Sequence, residues 1–154
     1  RHLFTFADED KHFTAGTERM IVEVKGWKVC PLVCYDLRFP VWSRNSKTPE
    51  KQYDLLIYMA NWPAARSAAW TSLLHARAHE NQAFVIGVNR VGVDGKGIEY
   101  IGNSAVIDPK GNVLTEGDSG KEGWVITDLN REELLHYRDK FRALNDADEF
   151  ELKL

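Results

Sequence analysis

The sequence predicts a mixed α/β domain with layered packing, and three features carry that expectation. Asp54-Leu-Leu-Ile-Tyr-Met-Ala60 and Ala83-Phe-Val-Ile-Gly-Val88 are nearly continuous apolar runs, the pattern of strands buried on both faces. Residues 64–82, between them, contain good helix formers and set Leu73, Leu74, Arg77, Ala78 and Asn81 at helical spacing. Strands alternating with helices in this way pack as layers.

Taken in order, residues 1–18 around Asp8-Glu-Asp-Lys-His12 read as a surface loop. Met20–Val24 alternates and predicts a strand, turned at Lys25-Gly26 into a second arm, Trp27–Val33. Pro31 lacks a ladder donor, which places it at an edge or a bulge. A short helix is expected from Phe39 to about Asn45, with Pro40 in its first turn. A polar connection, 46–53, leads to the first buried strand. Beyond the second, Asn89–Gly97 reads as a glycine-rich loop. Ile98–Ile107 and Asn112–Thr115 then form a hairpin around Asp108-Pro-Lys-Gly111. Trp124–Asp128 is expected as a last strand. A helix follows from Arg131 to about Phe141, capped by Asn130 or Asp128, and the tail 142–154 is expected to be polar and extended.

A chain of 154 residues is long enough for one sizeable core. Its formal charge of −3, with no basic run, argues against a nucleic-acid or anionic-membrane surface. No apolar run reaches the roughly 18 residues of a membrane span, and no signal-peptide pattern is present. The two cysteines, Cys30 and Cys34, lie four apart, about 13 Å along a strand at roughly 3.3 Å per residue, too far for a disulfide while the strand holds. Unpaired thiols fit a reducing, cytoplasmic compartment. The opening Arg1-His-Leu-Phe4 reads as the middle of a domain, so the single domain 1–154 is expected to be N-terminally incomplete.

Chemistry is expected where strands end. In layered α/β folds ligands gather at the carboxyl ends of strands, and three such ends carry polar or reactive groups: Cys34-Tyr-Asp-Leu-Arg38, Asn61-Trp-Pro63 and Asn89-Arg90. If the three strands are parallel neighbours, the clusters share one rim. Cys34 sits where a strand stops abruptly and turns, near backbone N–H groups that favour a thiolate and can cradle an oxyanion; its alternative is a small core residue. Cys30 is expected in the core. Asp36 and Arg38 either orient a substrate or form an ion pair that braces the turn. Asn61 and Trp62 either wall a pocket or pack inside. His75 and His79, at i, i+4, have metal-binding spacing but no third ligand motif, so neither a metal nor a cofactor is expected.

In their order, Val33-Cys-Tyr-Asp-Leu-Arg-Phe-Pro40, Asn61-Trp-Pro63, Arg77-Ala-His-Glu-Asn81, Asn89-Arg-Val-Gly92 and Gly102-Asn-Ser104 resemble the motifs of the nitrilase (carbon–nitrogen hydrolase) superfamily. The run through Asn45 and the tail Asp146-Ala-Asp-Glu-Phe150 are most similar to its bacterial ω-amidase-like branch. The resemblance implies the C-terminal portion of a four-layer α-β-β-α sandwich, a homodimer, and hydrolysis of a small amide, such as an ω-amide of a 2-oxo dicarboxylate, through a cysteine thioester. It implies Cys34 as nucleophile and the backbone N–H of Tyr35 in the oxyanion hole, with Arg38, Asn61 and Trp62 toward the substrate. The family's lysine directly precedes the segment resembling Arg1-His-Leu-Phe4, and its general-base glutamate lies further upstream. Lys11, Lys25 and Lys28 do not stand in that motif. Glu9 is the candidate for a second glutamate, and Glu80 and Asn81 are expected to brace the long helix. Two alternatives remain: a catalytically dead fragment or pseudo-enzyme lacking Glu and Lys, and a thiol hydrolase using His75 as base.

Overall fold

A computed structural model describes residues 1–153. Its centre is a six-stranded sheet in the order β1-β2-β3-β4-β7-β8. The strands are β1 Val22–Val24, β2 Trp27–Val33, β3 Leu55–Ala60, β4 Phe84–Asn89, β7 Ala105–Ile107 and β8 Val113–Glu116. β2, β3 and β4 run parallel as neighbours, so their carboxyl ends share one rim as expected. The flanking pairs are antiparallel. A small separate hairpin, β5 Val91–Val93 with β6 Glu99–Ile101, stands beyond that rim.

One sheet face carries the main core. Cys30, Leu32, Leu56, Tyr58, Val85 and Ile107 point at Trp70, Leu74 and Ala78 of helix α2, Ser67–Asn81. The buried positions of α2 (Trp70, Leu74, Arg77, Ala78, Asn81) fall on one side of a 3.6-residue turn. The helix lies close to β4 because Gly87 has no side chain: a Cβ there would stand 2.5 Å from Leu74 and 2.8 Å from Trp70. Cys30, wholly buried, is the core residue the sequence suggests.

The polar residues of α2 lock the loop before β3. Asn81 Oδ1 accepts the Asn45 N–H, and Asn45 Nδ2 donates to the carbonyls of Tyr53 and Asn81. Arg77 donates to Glu80 and to the Leu37 carbonyl. Glu80 and Asn81 therefore brace the helix as expected. Helix α3, Arg131–Lys140, is capped by the Asn130 side chain on the N–H groups of Glu132 and Glu133. It docks at the amino end of the parallel strands, where Arg131 and Arg138 both pair with buried Asp54.

The opposite sheet face is covered only at that end, where Val29, Leu55 and Phe84 pack on Leu134. Toward the rim it is open: Val33, Met59 and Val88, in register across three strands, are 59, 49 and 48% exposed. Such a face on neighbouring parallel strands is unusual, because parallel strands are ordinarily covered on both faces.

Several local expectations are corrected. Residues 89–97 are not a plain loop, since Val91–Val93 pairs with Glu99–Ile101 around a turn that Asp94 holds by accepting the N–H groups of Lys96 and Ile98. The arm 98–107 is two short strands, broken where Gly102 and Asn103 both turn left-handed. Trp124–Asp128 forms no strand: it pairs with none of the described residues, and Trp124 and Ile126 are 95 and 85% exposed. Alternation marked it as extended, but a strand also needs a partner. The expected loop 1–18 contains two 3-10 turns, Thr5–Ala7 and Glu9–Lys11. The tail is interrupted by another, Ala143–Asp146, which buries Leu144, and its last residue, Leu154, lies outside the described residues.

The segment after β2 is a 3-10 turn, Cys34–Arg38, before a single turn of helix α1, Pro40–Ser43. Asp36 secures it. The carboxylate is 2% exposed; Oδ2 accepts the Val33 N–H, and Oδ1 accepts the His2 N–H and bonds the His2 ring Nδ1. Burial opposes its ionisation, but the bonds from His2 and Val33 outweigh burial and hold it below the usual carboxylate range. No Asp36–Arg38 ion pair forms, because the carboxylate points inward and Arg38 lies outside.

Two outcomes follow for stability. Gly87→Ala overpacks β4 against α2 and should cost about 1–3 kcal/mol in urea unfolding at unchanged slope. Because the folded pKa of Asp36 is depressed, its stabilisation is present above the unfolded value near 3.8 and is lost as pH falls through the folded one. Asp36→Asn should therefore cost about 1–3 kcal/mol at pH 7, with the gap to wild type narrowing below pH 4.

Candidate active site

The site grows from the end of β2. Cys34 takes φ +39°, a left-handed conformation that a non-glycine residue adopts at a cost and keeps only where its surroundings impose it. The strand before it and the Asp36 clamp after it impose it here. The sharp reversal leaves Cys34 half-buried, with its sulfur 3.9 Å from the Asn61 carbonyl at the end of β3. Burial pushes the thiol above its ordinary value. Backbone contacts at Asn61 and Tyr35 oppose that rise, and the negative charges of Glu9 and Asp36 reinforce it. Within this chain the thiol is neutral at pH 7, and a reagent that removes its proton would convert it to a nucleophile.

The ends of β3 and β4 and the turn between β6 and β7 are tied together by Asn89, the last residue of β4. Its Oδ1 accepts the Trp62 N–H, and its Nδ2 donates to the carbonyls of Trp62 and Gly102. Its main chain exchanges hydrogen bonds with Ser104 Oγ. One amide thus joins Asn61-Trp-Pro63, Asn89-Arg90 and Gly102-Asn-Ser104 into a single frame beside Cys34. The sequence marked each cluster but not the residue that unites them; an asparagine closing a buried apolar strand is the signal that points to it.

Asn61 is exposed at the rim beside the sulfur. Trp62 is only 3% exposed; its ring packs on Trp70 with centroids 5.5 Å apart, and its Nε1 donates to the Arg66 carbonyl. What Trp62 meets toward the rim is Arg38, whose guanidinium lies 4.9 Å from the ring centroid. Tyr35, beside the nucleophile candidate, packs between Phe4, tilted at 4.9 Å, and Phe39, edge-on at 5.1 Å. Glu9 accepts the Phe4 N–H on Oε2, and its charge reaches Cys34. His2, on Phe39 at 3.7 Å, and His2–Asp36 complete the support.

His75 and His79 are not brought to this rim. His75 Nδ1 engages the Gly111 carbonyl, and the His79 ring packs against Gly111, at the far side of α2. Neither ring offers a base to Cys34. Among the described residues no group of three or more His, Cys, Asp or Glu side chains is arranged to hold a metal ion, and no helix is long and apolar enough to cross a membrane.

Residues 1–139 match the carbon-nitrogen hydrolase family. Over 152 residues the chain is 54% identical to omega-amidase YafV of Escherichia coli K12, covering 99% of this chain and 58% of that protein. It is 40% identical over 145 residues to 2-oxoglutaramate amidase of Bacillus subtilis 168, covering 94% of this chain and 54% of the relative. The chain therefore spans little more than half the length of these relatives. A CN-hydrolase superfamily protein from Xanthomonas campestris, with an arsenic adduct in its active site, superposes at TM-score 0.95 with 48% identity, over 99% of this chain and 59% of that one. An amidase from Nesterenkonia, carrying acrylamide on its active-site cysteine, superposes at TM-score 0.70 with 27% identity, over 87% of this chain and 52% of its own. The left-handed cysteine, the clusters that Asn89 joins beside it and these matches have one meaning: the chain belongs to the carbon–nitrogen hydrolase family, the nitrilase superfamily.

Proposed function

We propose that this chain is the cysteine-bearing part of an ω-amidase-like hydrolase that cleaves the amide of a small ω-amide, 2-oxoglutaramate-like in class, to acid and ammonia. The observation that carries the reading is Cys34 held at φ +39° on the shared rim of three parallel strands. The relatives named omega-amidase and 2-oxoglutaramate amidase support the substrate class, and the adduct on the Nesterenkonia cysteine supports a thiol at the reacting centre.

In this reading the Cys34 sulfur, its proton withdrawn by a base, adds to the amide carbonyl carbon. The carbonyl electron pair moves to oxygen and is met by the Tyr35 N–H. Collapse expels ammonia once the nitrogen has gained a proton, leaving a thioester. Water then adds to that carbonyl, and the thiolate departs and is reprotonated, so amide plus water yields acid plus ammonia. Asn61 and Arg38 line the approach, with Trp62 setting the position of Arg38. Asp36 is saturated by His2 and Val33, which leaves Glu9, half-buried and near the sulfur, as the carboxylate of this chain suited to handle a proton. The remaining base and oxyanion cation are assigned to the glutamate and lysine that the family places before residue 1. The open face of Val33, Met59 and Val88 suits the second sheet of a four-layer sandwich, and the protein is read as a cytoplasmic homodimer.

The raised thiol favours a second reading, a chain without catalysis of its own: among the described residues, the main influences on Cys34 are burial, the backbone at Asn61 and Tyr35, and the charges of Glu9 and Asp36, none of them a cation. Ammonia release separates the two. In the full-length protein Cys34→Ala should lower turnover of an ω-amide by about a thousandfold or more, Cys30→Ala should leave it largely intact, and His75→Ala should stay within about threefold of wild type. Turnover that survives Cys34→Ala would sink the nucleophile assignment. In the 154-residue chain, iodoacetamide labelling of Cys34 followed by intact mass should accelerate about tenfold per pH unit from 7 to 9 without levelling, because the thiol ionises above 9.0. A plateau below pH 8 would show an activated thiolate instead.

A further inference from the structure

Around this rim the charge is distributed unevenly. Guanidinium hydrogen bonds among the described residues come from Arg19, Arg44, Arg77, Arg131, Arg138 and Arg142, and the last four also form ion pairs. Arg38, Arg66 and Arg90 are in neither set. They follow β2, β3 and β4 in turn, and each is seated on an aromatic ring: Arg38 on Trp62 at 4.9 Å, Arg66 on Phe4 at 5.7 Å, Arg90 on Tyr100 at 4.6 Å. Each ring is linked to the nucleophile's surroundings. Trp62 follows Asn61, whose carbonyl faces the sulfur; Phe4 packs on Tyr35; and Tyr100 stands in β6 two residues before Gly102, whose carbonyl accepts from the Asn89 amide at the same rim. Three cations without anionic partners, at the mouth of one site, leave their charge for something outside the chain.

Arg90 is the best prepared of the three. Its main chain is fixed at both ends, its N–H donating to the Ala60 carbonyl and its own carbonyl accepting the Gly102 N–H. Its ring support, Tyr100, is 7% exposed and tethered by its hydroxyl to Asp94 Oδ2 at 3.0 Å. Asp94, a carboxylate of the hairpin, feels the charge of Arg90, but its oxygens are already taken by the N–H groups of Lys96 and Ile98 and by Tyr100. Asp94 stiffens the platform without consuming the guanidinium fork. A planar fork held over a ring at 4.6 Å, with its donors in no hydrogen bond among the described residues, suits two-point binding of a carboxylate.

We propose that Arg90, on its Tyr100–Asp94 platform, is the specificity-determining residue that holds the carboxylate at the far end of the substrate while the amide is presented to Cys34. The assignment rests on the ω-amidase reading for the identity of that substrate and on the rim geometry for the cation. It makes the β5–β6 hairpin the element that distinguishes a dicarboxylate-derived amide from a neutral one.

The test uses the full-length protein with two readouts. In the first, glutarate or butyramide protects Cys34 from iodoacetamide, read by intact mass. Arg90→Met should raise the glutarate concentration for half-protection roughly 10- to 100-fold, the range for losing a charge-assisted hydrogen-bonded pair. Arg90→Lys should fall between, and butyramide protection should not change in either variant. In the second, ammonia release from the ω-amide should lose the same factor in kcat/KM, chiefly through KM. Unchanged glutarate protection in Arg90→Met, equal loss with both probes, or no glutarate protection of the wild type would each overturn the proposal. A wild type that shows glutarate protection dependent on Arg90 but hydrolyses no ω-amide would overturn the ω-amidase reading and leave Arg90 as the carboxylate site.

Discussion

The left-handed backbone at Cys34 is the constraint on which the site depends. A strand carrying a thiol would ordinarily continue and bury it, as β2 buries Cys30. Reversing the chain at Cys34 lifts the sulfur to the rim instead, at the cost of an unfavourable φ. That cost is sustained by a buried carboxylate: Asp36 reaches back to the Val33 N–H, so the residues on either side of the reversal are tied to one another. Arg77 secures the same turn from α2 through the Leu37 carbonyl. Elbow, helix and sheet are thus one mechanical unit, and the strain is borne by the core rather than by a loop.

A second layer of organisation comes from single polar side chains that each join several segments. Asn89 joins three clusters at the rim, Asn81 and Asn45 fasten the loop before β3 to α2, and Asp54 holds both arginines of α3. Each is buried or half-buried with its partners in place, the condition under which polar groups specify a geometry rather than weaken a core. The consequence for function is rigidity. The approach to Cys34 is set by groups whose own positions are over-determined, which in the proposed mechanism would keep a reacting carbonyl within reach of the thiol and of the backbone N–H beside it.

Electrostatics at the rim pulls in two directions. Burial and the charges of Glu9 and Asp36 keep the thiol protonated, whereas Arg38, Arg66 and Arg90 surround the entrance with positive charge held on aromatic rings. In the proposed reaction Glu9 is the acid suited to proton transfer, since Asp36 is held by His2 and Val33, and the basic collar suits attraction of an anionic substrate. On that proposal, separation of these roles in space would let one small site bind a carboxylate without neutralising the carboxylate that handles the proton.

By itself the sequence determined the strands to within a residue or so (27–33, 54–60 and 83–88 as read), the long helix read over 64–82 with its buried stripe, a cap for α3 at Asn130 or Asp128, and the place of Cys34 at a strand end, because these rest on local periodicity and on residues that follow one another in the chain. The ordered motifs also made the family legible. Only the tertiary structure decided that Asp36 faces inward to His2 and Val33 rather than to Arg38, that Asn89 joins the three clusters, that 124–128 stays unpaired, and that Arg90 rests on a tyrosine ten residues away. Those outcomes depend on which segments meet, and hydrogen bonds and ring contacts between distant residues leave no period in a sequence from which to read them.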